Sequence, residues 1–465
     1  MRLGARAAPT PMVGRMVFAP RLPPQMAVQV RRFTPTPTAA RGAMTQVFTR
    51  PLIDFVLIIS RVARITIGSV LAVAAITFGV WEGTHQYVEY SAMRKAARTP
   101  AGTDDEYGWV TQASLDLLGS SGNGTDARLG IFGRHLVRSA WIAENWGGGV
   151  TPSALFGRDT VDQDVSNHGL VLAENFLTSA LSIAESRNIS VPESIDIDES
   201  TAIDPTAVQL EAWHAAVCER LATRTSLSKA VSLYEKLYDA AIKVRSMSHA
   251  AAFATRLGSV HALLGHKDAS DSWINRAIYA SGTEAVNVIL KKGILSEAPL
   301  ATRSLISTLE TQARIQAISA TSRSELESAL NASVNTARIA HNQEVASTSD
   351  SSRLHNIWMQ QEEALLSVYI GETLYALQKE KPTLLERLMW KRHPTPSIIG
   401  GTSRGAKGVA LSVEWLEHAR DTAANATASL GDFSSNSSLS VSANHIMLRA
   451  KAVQEEAQRL LDLLK

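Results

Sequence analysis

The run Ile65–Trp81 contains seventeen residues and no charge, and it constrains the fold more than any other stretch of the chain. A helix needs about 20 mostly apolar residues to cross a bilayer, because each residue adds about 1.5 Å across a core about 30 Å thick. Leu52–Ser60 extends the apolar character upstream and is interrupted by Asp54. We predict one transmembrane helix within 51–99, with its core at 65–81. A buried helix of a soluble protein is the alternative.

The residues before this run form a basic leader. Positions 1–53 hold eight arginines, no lysine and no acidic residue. An arginine-rich, acid-free leader that contains hydroxyl residues is typical of a mitochondrial import signal. Val30–Thr34, with an arginine shortly before an aromatic residue, resembles a matrix-processing site. We predict that 1–50 is a disordered targeting leader; a basic tail that binds nucleic acid or lipid is the alternative.

The residues that flank the apolar run indicate an orientation. Arg61 and Arg64 precede it, and Trp81, Tyr87 and Tyr90 follow it. Basic residues on the retained side and aromatic residues at the interface are the expected anchors of a membrane helix. Three further basic residues beyond the aromatic ones weaken this asymmetry, so the orientation depends mainly on the leader. We expect a single-pass protein of the mitochondrial inner membrane, with its N-terminus in the matrix and its C-terminal domain in the intermembrane space.

The net charge of +2 combines two unlike parts. Residues 1–99 contain thirteen Lys/Arg and three Asp/Glu, which leaves 33 basic and 41 acidic residues in 100–465. The C-terminal part is therefore mildly acidic. Nucleic-acid binding requires a concentrated basic surface, so we predict that this domain does not bind nucleic acid.

Beyond residue 100 the apolar residues recur at helical spacing, and no alternating strand pattern is evident. The fold class predicted is all-α. Residues 380–407, rich in Pro, Gly and Arg, are expected to form an inserted loop. The predicted helices are Trp109–Leu118, Arg128–Trp146, Gly169–Arg187, Ala207–Thr223, Leu227–Met247, His249–Leu264, Asp268–Ser281, Arg353–Lys379, Gly408–Leu430 and Val441–Lys465, with one helical stretch over Leu300–Ala346.

One pair of these helices matches a tetratricopeptide (TPR) repeat. Leu257 and Gly258 are followed by a bulky residue three positions on, and the second helix has the small, bulky, small series Ser270, Ile274 and Ala277. Small residues allow two antiparallel helices to approach closely while larger side chains fill the space beside them. We predict that this pair is one repeat of a TPR-like array occupying 100–465.

Other helices match the repeat less well. Val217–Leu237 contains the same pattern at an offset of 40 residues from the first repeat, instead of the usual spacing of about 34. Ala173–Ala180 resembles a second helix, and Ile370–Leu374 resembles a first helix whose partner begins near Leu411. Another kind of stacked-helix array is the alternative. Either array would offer a concave face to polypeptide segments.

The sequence indicates no catalytic, cofactor or metal site. Cys218 is the single cysteine, and we interpret it as a small core residue. The basic–aromatic island Trp390–His393 is interpreted as a polar insertion, with anionic lipid as its alternative ligand. Six histidines have no Cys, Asp or Glu at ligand spacing and are expected to be structural: His135, His168, His214, His249, His261 and His266.

An import leader, one membrane helix and a degenerate TPR array together resemble the inner-membrane TPR adaptor of the mitochondrial i-AAA protease. The resemblance lies in this layout and in the repeat Leu257–Ala277. It implies a non-enzymatic scaffold that recruits misfolded substrates to the protease. A TPR assembly or quality-control factor for a respiratory-chain complex would share the same features. An enzyme with a dispersed site is the alternative of another class.

Overall fold

The computed structural model describes residues 43–93, 107–117, 124–147, 168–192, 203–282, 298–343, 345–379, 406–431 and 439–464. Most of the predicted leader, the candidate processing site Val30–Thr34 and the basic island Trp390–His393 lie outside the described residues. The described part of the chain has no strand, so the all-α prediction is confirmed. Its helices are α1 Ala43–Tyr87, α2 Trp109–Leu117, α3 Gly130–Ile142, α4 His168–Ser186, α5 Pro205–Leu221, α6 Arg224–Lys243, α7 Met247–Leu263, α8 Lys267–Ala280, α9 Pro299–Ser319, α10 Arg323–His341, α11 Asp350–Lys379, α12 Ala406–Leu430 and α13 Ser440–Leu464. Short π-helical turns at Val88–Ala92 and Ala143–Gly147 extend α1 and α3.

Helix α1 is long and apolar enough to cross a membrane, as the sequence predicts. It is longer than the predicted span, because it continues without a break through Asp54, Arg61 and Arg64. None of its most apolar 18-residue window is buried inside the protein. Soluble proteins rarely expose so large a continuous apolar surface to water. Contacts divide the chain into one unit that ends at Thr77 and a second that begins at Phe78.

The second unit contains helical hairpins closed by short turns. Between α5 and α6, Thr223 Oγ1 accepts a hydrogen bond of 3.1 Å from the Ser226 amide, and Ser226 Oγ accepts one of 3.0 Å from the Thr223 amide. This reciprocal capping satisfies two amides at the start of α6. Between α7 and α8, Gly265 adopts φ of +79°. Glycine tolerates this left-handed conformation, which lets the chain reverse immediately after α7.

The hairpins stack in chain order as α3/α4, α5/α6, α7/α8, α9/α10 and α11/α12, and α13 packs last against α11 and α12. Helix α9 contacts both α7 and α11, and α11 contacts α13. Helices α7, α9 and α11, the first helices of the last three hairpins, therefore lie side by side with α13 along one face, which we call the inner face. A TPR-like array is confirmed.

The repeat predicted at Leu257–Ala277 is the hairpin α7/α8. Leu257, Ser270, Ile274 and Ala277 are all buried. A Cβ atom on Gly258 would lie 2.7 Å from Ile274 Cδ1, which is too close for two carbon atoms. The glycine is needed because Ile274 packs directly over the backbone of α7. The less regular repeats also form hairpins: Ala173–Ala180 lies in α4, Val217–Leu237 spans α5/α6, and Ile370–Leu374 packs with Leu411 and Trp415.

The prediction of one helical stretch over Leu300–Ala346 is wrong. The chain turns at Ala320–Ser322 and forms the hairpin α9/α10. Ser322 Oγ accepts a hydrogen bond from the Glu325 amide, and Glu325 Oε2 accepts one of 2.7 Å from the Thr321 amide. The Ser322 N-cap starts a new helix, and Glu325 also fixes the turn before it. The array thereby gains a hairpin that apolar spacing alone does not reveal.

Candidate functional site

The inner face encloses a cavity of about 390 Å³. Residues of α7, α9, α11 and α13 line it, together with residues of α2, α5 and α6. This volume lies within the range of about 300–1,000 Å³ that is usual for ligand pockets. Its walls are rich in hydroxyl and charged side chains, unlike the apolar contacts between paired helices.

Helix α2 lies across one end of the inner face and contacts four of its helices. Trp109 Nε1 donates a hydrogen bond of 3.1 Å to the Ser351 carbonyl of α11. The other three contacts are Gln112 Oε1 with Arg303 Nε of α9 at 3.0 Å, Ser114 Oγ with His249 Nε2 of α7 at 3.3 Å, and Asp116 Oδ2 with His445 Nδ1 of α13 at 3.4 Å. A nine-residue segment is thus bound by three side chains and one backbone carbonyl from four helices of the inner face.

Trp109 and Arg303 form the centre of this contact. Trp109 is 2% exposed, and the Arg303 guanidinium lies 4.0 Å from the centre of its ring. Arg303 Nη2 also donates a hydrogen bond of 2.6 Å to the Tyr107 carbonyl. Arginine over an indole face is a favourable cation–π arrangement, stronger where water is excluded. One side chain of α9 therefore holds both the backbone and the anchoring aromatic ring of the α2 segment.

The Arg303 side chain also contacts a buried histidine, His355. Its Nη1 lies 3.2 Å from His355 Nδ1. Burial and the neighbouring guanidinium lower the pKa of His355 to about 4. His355 is therefore neutral at pH 7, with Nδ1 accepting the hydrogen bond from Arg303.

Beyond α2, the cavity is lined by charges of both signs. Arg256 Nη1 lies 3.7 Å from Glu219 Oε2, and Arg449 Nη1 lies 2.8 Å from Glu362 Oε1. Glu362 is fully buried, and burial raises the pKa of its carboxyl group. Arg256 and Arg449 also line the cavity, so each pairs with a carboxyl group from the cavity side.

Arg314 differs from the other arginines of the cavity. Its side chain lines the wall on α9, but within the described residues it makes neither an ion pair nor a hydrogen bond. Burial raises the pKa of Tyr369, and the buried carboxyl group of Glu310, one turn before Arg314 on the same helix, raises it further. Arg314 therefore offers the cavity a guanidinium group that has no ion-pair or hydrogen-bond partner among the described residues.

A second cluster contains residue types that bind metals. The ligand atoms of Glu174, His214 and Cys218 lie within 4.8 Å of one another. However, Lys229 Nζ donates a hydrogen bond to Glu174 Oε1, the oxygen that lies 3.4 Å from His214 Nε2. The lysine ammonium thus already pairs with the carboxylate of this cluster. The cluster does not fit a divalent cation without displacement of Lys229.

Cys218 in this cluster is a core residue, as predicted, with 0% exposure. Burial, together with the Glu174 carboxylate, raises the pKa of its thiol to about 12. The thiol stays protonated at physiological pH, whereas nucleophilic attack and metal binding both require the thiolate.

The structure does not bring the six singled-out histidines together. His168 is exposed, while His261 and His266 contact only each other among the described rings. His135 lies 3.4 Å from Glu82, and His214 lies 3.4 Å from Glu174. These two pairs join residues 53 and 40 positions apart in the sequence, so local spacing could not have revealed them. Sequence reasoning also missed Arg303, Arg314 and Arg449, because nothing in their local sequence marks them.

Comparison with known proteins gives no relative to which this chain can be assigned. No protein-family model, no curated protein and no solved structure matches it. Only the residues of this structure therefore bear on the function of the protein.

Proposed function

We propose that this protein is a membrane-anchored helical-repeat scaffold that binds polypeptide segments on its inner face. The supporting observation is α2, a segment of the same chain that four inner helices already hold through side-chain contacts. A groove binds an amphipathic helix through apolar anchoring side chains, and Trp109 is such an anchor in α2, supplemented here by polar contacts. A segment from another protein could use the same kinds of contact.

The cavity beside α2 supplies the remaining part of the proposed site. Its wall contains Arg314, Arg256 and Arg449, with hydroxyl groups from Thr255, Ser307 and Thr308 between them. Backbone carbonyl groups and acidic side chains of a peptide are suitable partners for such donors. The site therefore favours polar or acidic segments that carry an aromatic residue.

We also propose a cellular location and a class of partner for this protein. The arginine-rich leader and the single apolar helix support a place in the mitochondrial inner membrane, with the repeat array in the intermembrane space. The layout supports a role in recruiting misfolded proteins to the i-AAA protease. An assembly or quality-control factor for a respiratory-chain complex is the second candidate, since it would use the same array and the same anchor.

Site-specific crosslinking tests this proposal. A photoreactive benzoylphenylalanine replaces Ser307 on the inner face, and the matched control carries it at Tyr279, which is 70% exposed on α8. Full-length protein is irradiated in mitochondria, and the products are identified by mass spectrometry. We expect adducts with other polypeptides from position 307 and few from position 279. Arg314→Glu should reduce the adducts from position 307.

The identity of the adducts separates the candidates. Protease subunits or their clients would support the adaptor, and subunits of respiratory complexes would support the assembly factor. Adducts at position 307 confined to α2 of the same chain would contradict binding on the inner face. A small-molecule substrate retained in the cavity, with no polypeptide adduct, would favour an enzyme.

A further inference from the structure

We infer that the first turn of α3 is a second membrane-contacting element, which inserts Ile131 and Phe132 into the lipid surface beside the end of α1. This inference rests on the proposed membrane anchoring of the chain. Two observations support it. Ile131 and Phe132 are exposed, and residues one turn later on α3 contact the end of α1.

The pair is unusual in its exposure. Ile131 is 72% and Phe132 is 78% exposed, although both lie on a helix whose opposite side packs against α4. Gly133, the next residue, is buried and lies close to Ile183 of α4. Exposure of two large adjacent apolar side chains to water is energetically unfavourable.

Contacts one turn later on α3 relate this pair to α1. His135 stacks on Trp81 with ring centres 4.6 Å apart, and its Nε2 lies 3.4 Å from Glu82 Oε2. Arg138 Nε donates a hydrogen bond of 2.9 Å to Glu89 Oε2. Residues four apart lie on the same face of a helix, so Ile131 shares the face of α3 that meets α1. His135 and Arg138 contact residues between 81 and 89, so the first turns of α3 lie beside the C-terminal end of α1.

The surrounding side chains suit the interface between lipid and water. Trp81, Tyr87, Tyr90 and Trp146 are between 45% and 76% exposed, and the rings of Tyr87 and Trp146 stack at 6.5 Å. Tryptophan and tyrosine concentrate at the level of the lipid headgroups, because each combines an apolar ring with a polar group. Ile131 and Phe132 have no polar group, which suits the acyl boundary just below that level.

The charges nearby indicate that the contact is apolar and not electrostatic. Arg128 is bound to Asp126 and Asp204, and Arg134 lies 3.6 Å from Glu89. Since these guanidinium groups already have carboxylate partners, they contribute little to the attraction of anionic headgroups. Insertion should therefore occur in neutral phosphatidylcholine and should persist at high salt.

Spin labelling of the full-length protein in phosphatidylcholine vesicles tests the inference. The native chain contains one cysteine, Cys218, which is buried and unreactive, so Phe132→Cys provides a single labelling site. Ile318→Cys is the matched control, because Ile318 is a branched apolar residue that is 77% exposed on α9. Val73→Cys reports on α1 itself. Accessibility of each label is measured with oxygen, which concentrates in lipid, and with a water-soluble nickel complex.

We expect the label at position 132 to be relaxed more strongly by oxygen than by nickel, and the label at position 318 to show the reverse. A nickel-accessible label at 132, or the same lipid accessibility at 318, would overturn the inference. Protection from both reagents would indicate contact with a second copy or another protein and would also overturn it. A nickel-accessible label at 73 would instead overturn the membrane anchoring. Ile131→Cys serves as the independent second site if Phe132→Cys lowers the helical content.

Discussion

Ser412 Oγ donates a hydrogen bond of 2.7 Å to the carbonyl of Gly371, which precedes it by 41 residues. Ser270 makes the same bond, also at 2.7 Å, to Gly258, only 12 residues earlier. In both hairpins a bulky residue four positions after the serine packs over the glycine: Leu416 in α12 and Ile274 in α8. The segment between α11 and α12 is therefore an insertion into one repeat, and it leaves the packing of the hairpin unchanged.

Gly258→Ala and Gly371→Ala should each lower the melting temperature. The added methyl group would lie 2.7 Å from Ile274 or 2.8 Å from Leu416. Overpacking of this kind typically costs about 1–3 kcal/mol. Gly83→Ala is the control, since no atom lies within 4 Å of the position its Cβ would take. Thermal unfolding followed by circular dichroism provides the measurement, and equal effects at all three glycines would contradict the close packing.

Trp109→Ala should release α2 from the inner face. It removes a side chain that is 2% exposed, together with its hydrogen bond to Ser351 and its contact with Arg303. Loss of a buried tryptophan typically costs about 3–5 kcal/mol of stability. A nine-residue helix is too short to stay folded in water without such packing. Hydrogen exchange should accelerate across 109–117 and stay slow in α9. Val110→Ala, at a position that is 46% exposed, should leave exchange unchanged.

Acidification should destabilise the array through His355. Its pKa in the folded protein is about 4 and its usual value is 6.5, so the unfolded chain binds the proton more tightly. This contribution to stability is complete above pH 6.5 and is lost as the pH falls toward 4, to a maximum of about 3 kcal/mol. His355→Asn, which keeps an acceptor for Arg303, should flatten the dependence of melting temperature on pH between 6.5 and 4. His168→Asn, at an exposed position, should leave this dependence intact.

The full-length protein should stay in the membrane pellet after extraction with alkaline carbonate, because the most apolar 18-residue window of α1 is not buried inside the protein. In mitochondria, a protease should digest a C-terminal tag only after the outer membrane is ruptured. Release into the supernatant would contradict the anchor. Protection of the tag after rupture, with access only when the inner membrane is opened, would reverse the orientation.

The sequence predicted most helices to within a few residues because apolar spacing and glycine or proline breaks are local signals. It missed the turn at Ala320–Ser322, where the stretch on both sides remains helical and only the Ser322 cap marks the boundary. The repeat at Leu257–Ala277 could be recognised because close helix packing demands small residues at fixed positions. The equivalent hairpin at Gly371 and Ser412 resembled a repeat less closely, because 41 residues separate these two positions instead of 12.

The candidate site shows the limit of such local signals. By itself the sequence determined the apolar helix and the all-α class. Both depend only on which side chains are apolar and how they are spaced within a short window of the chain. Only the tertiary structure brought Trp109 to Arg303, Asp116 to His445 and Glu362 to Arg449. These partners lie far apart along the chain. Which of them meet depends on how the hairpins stack around the inner face.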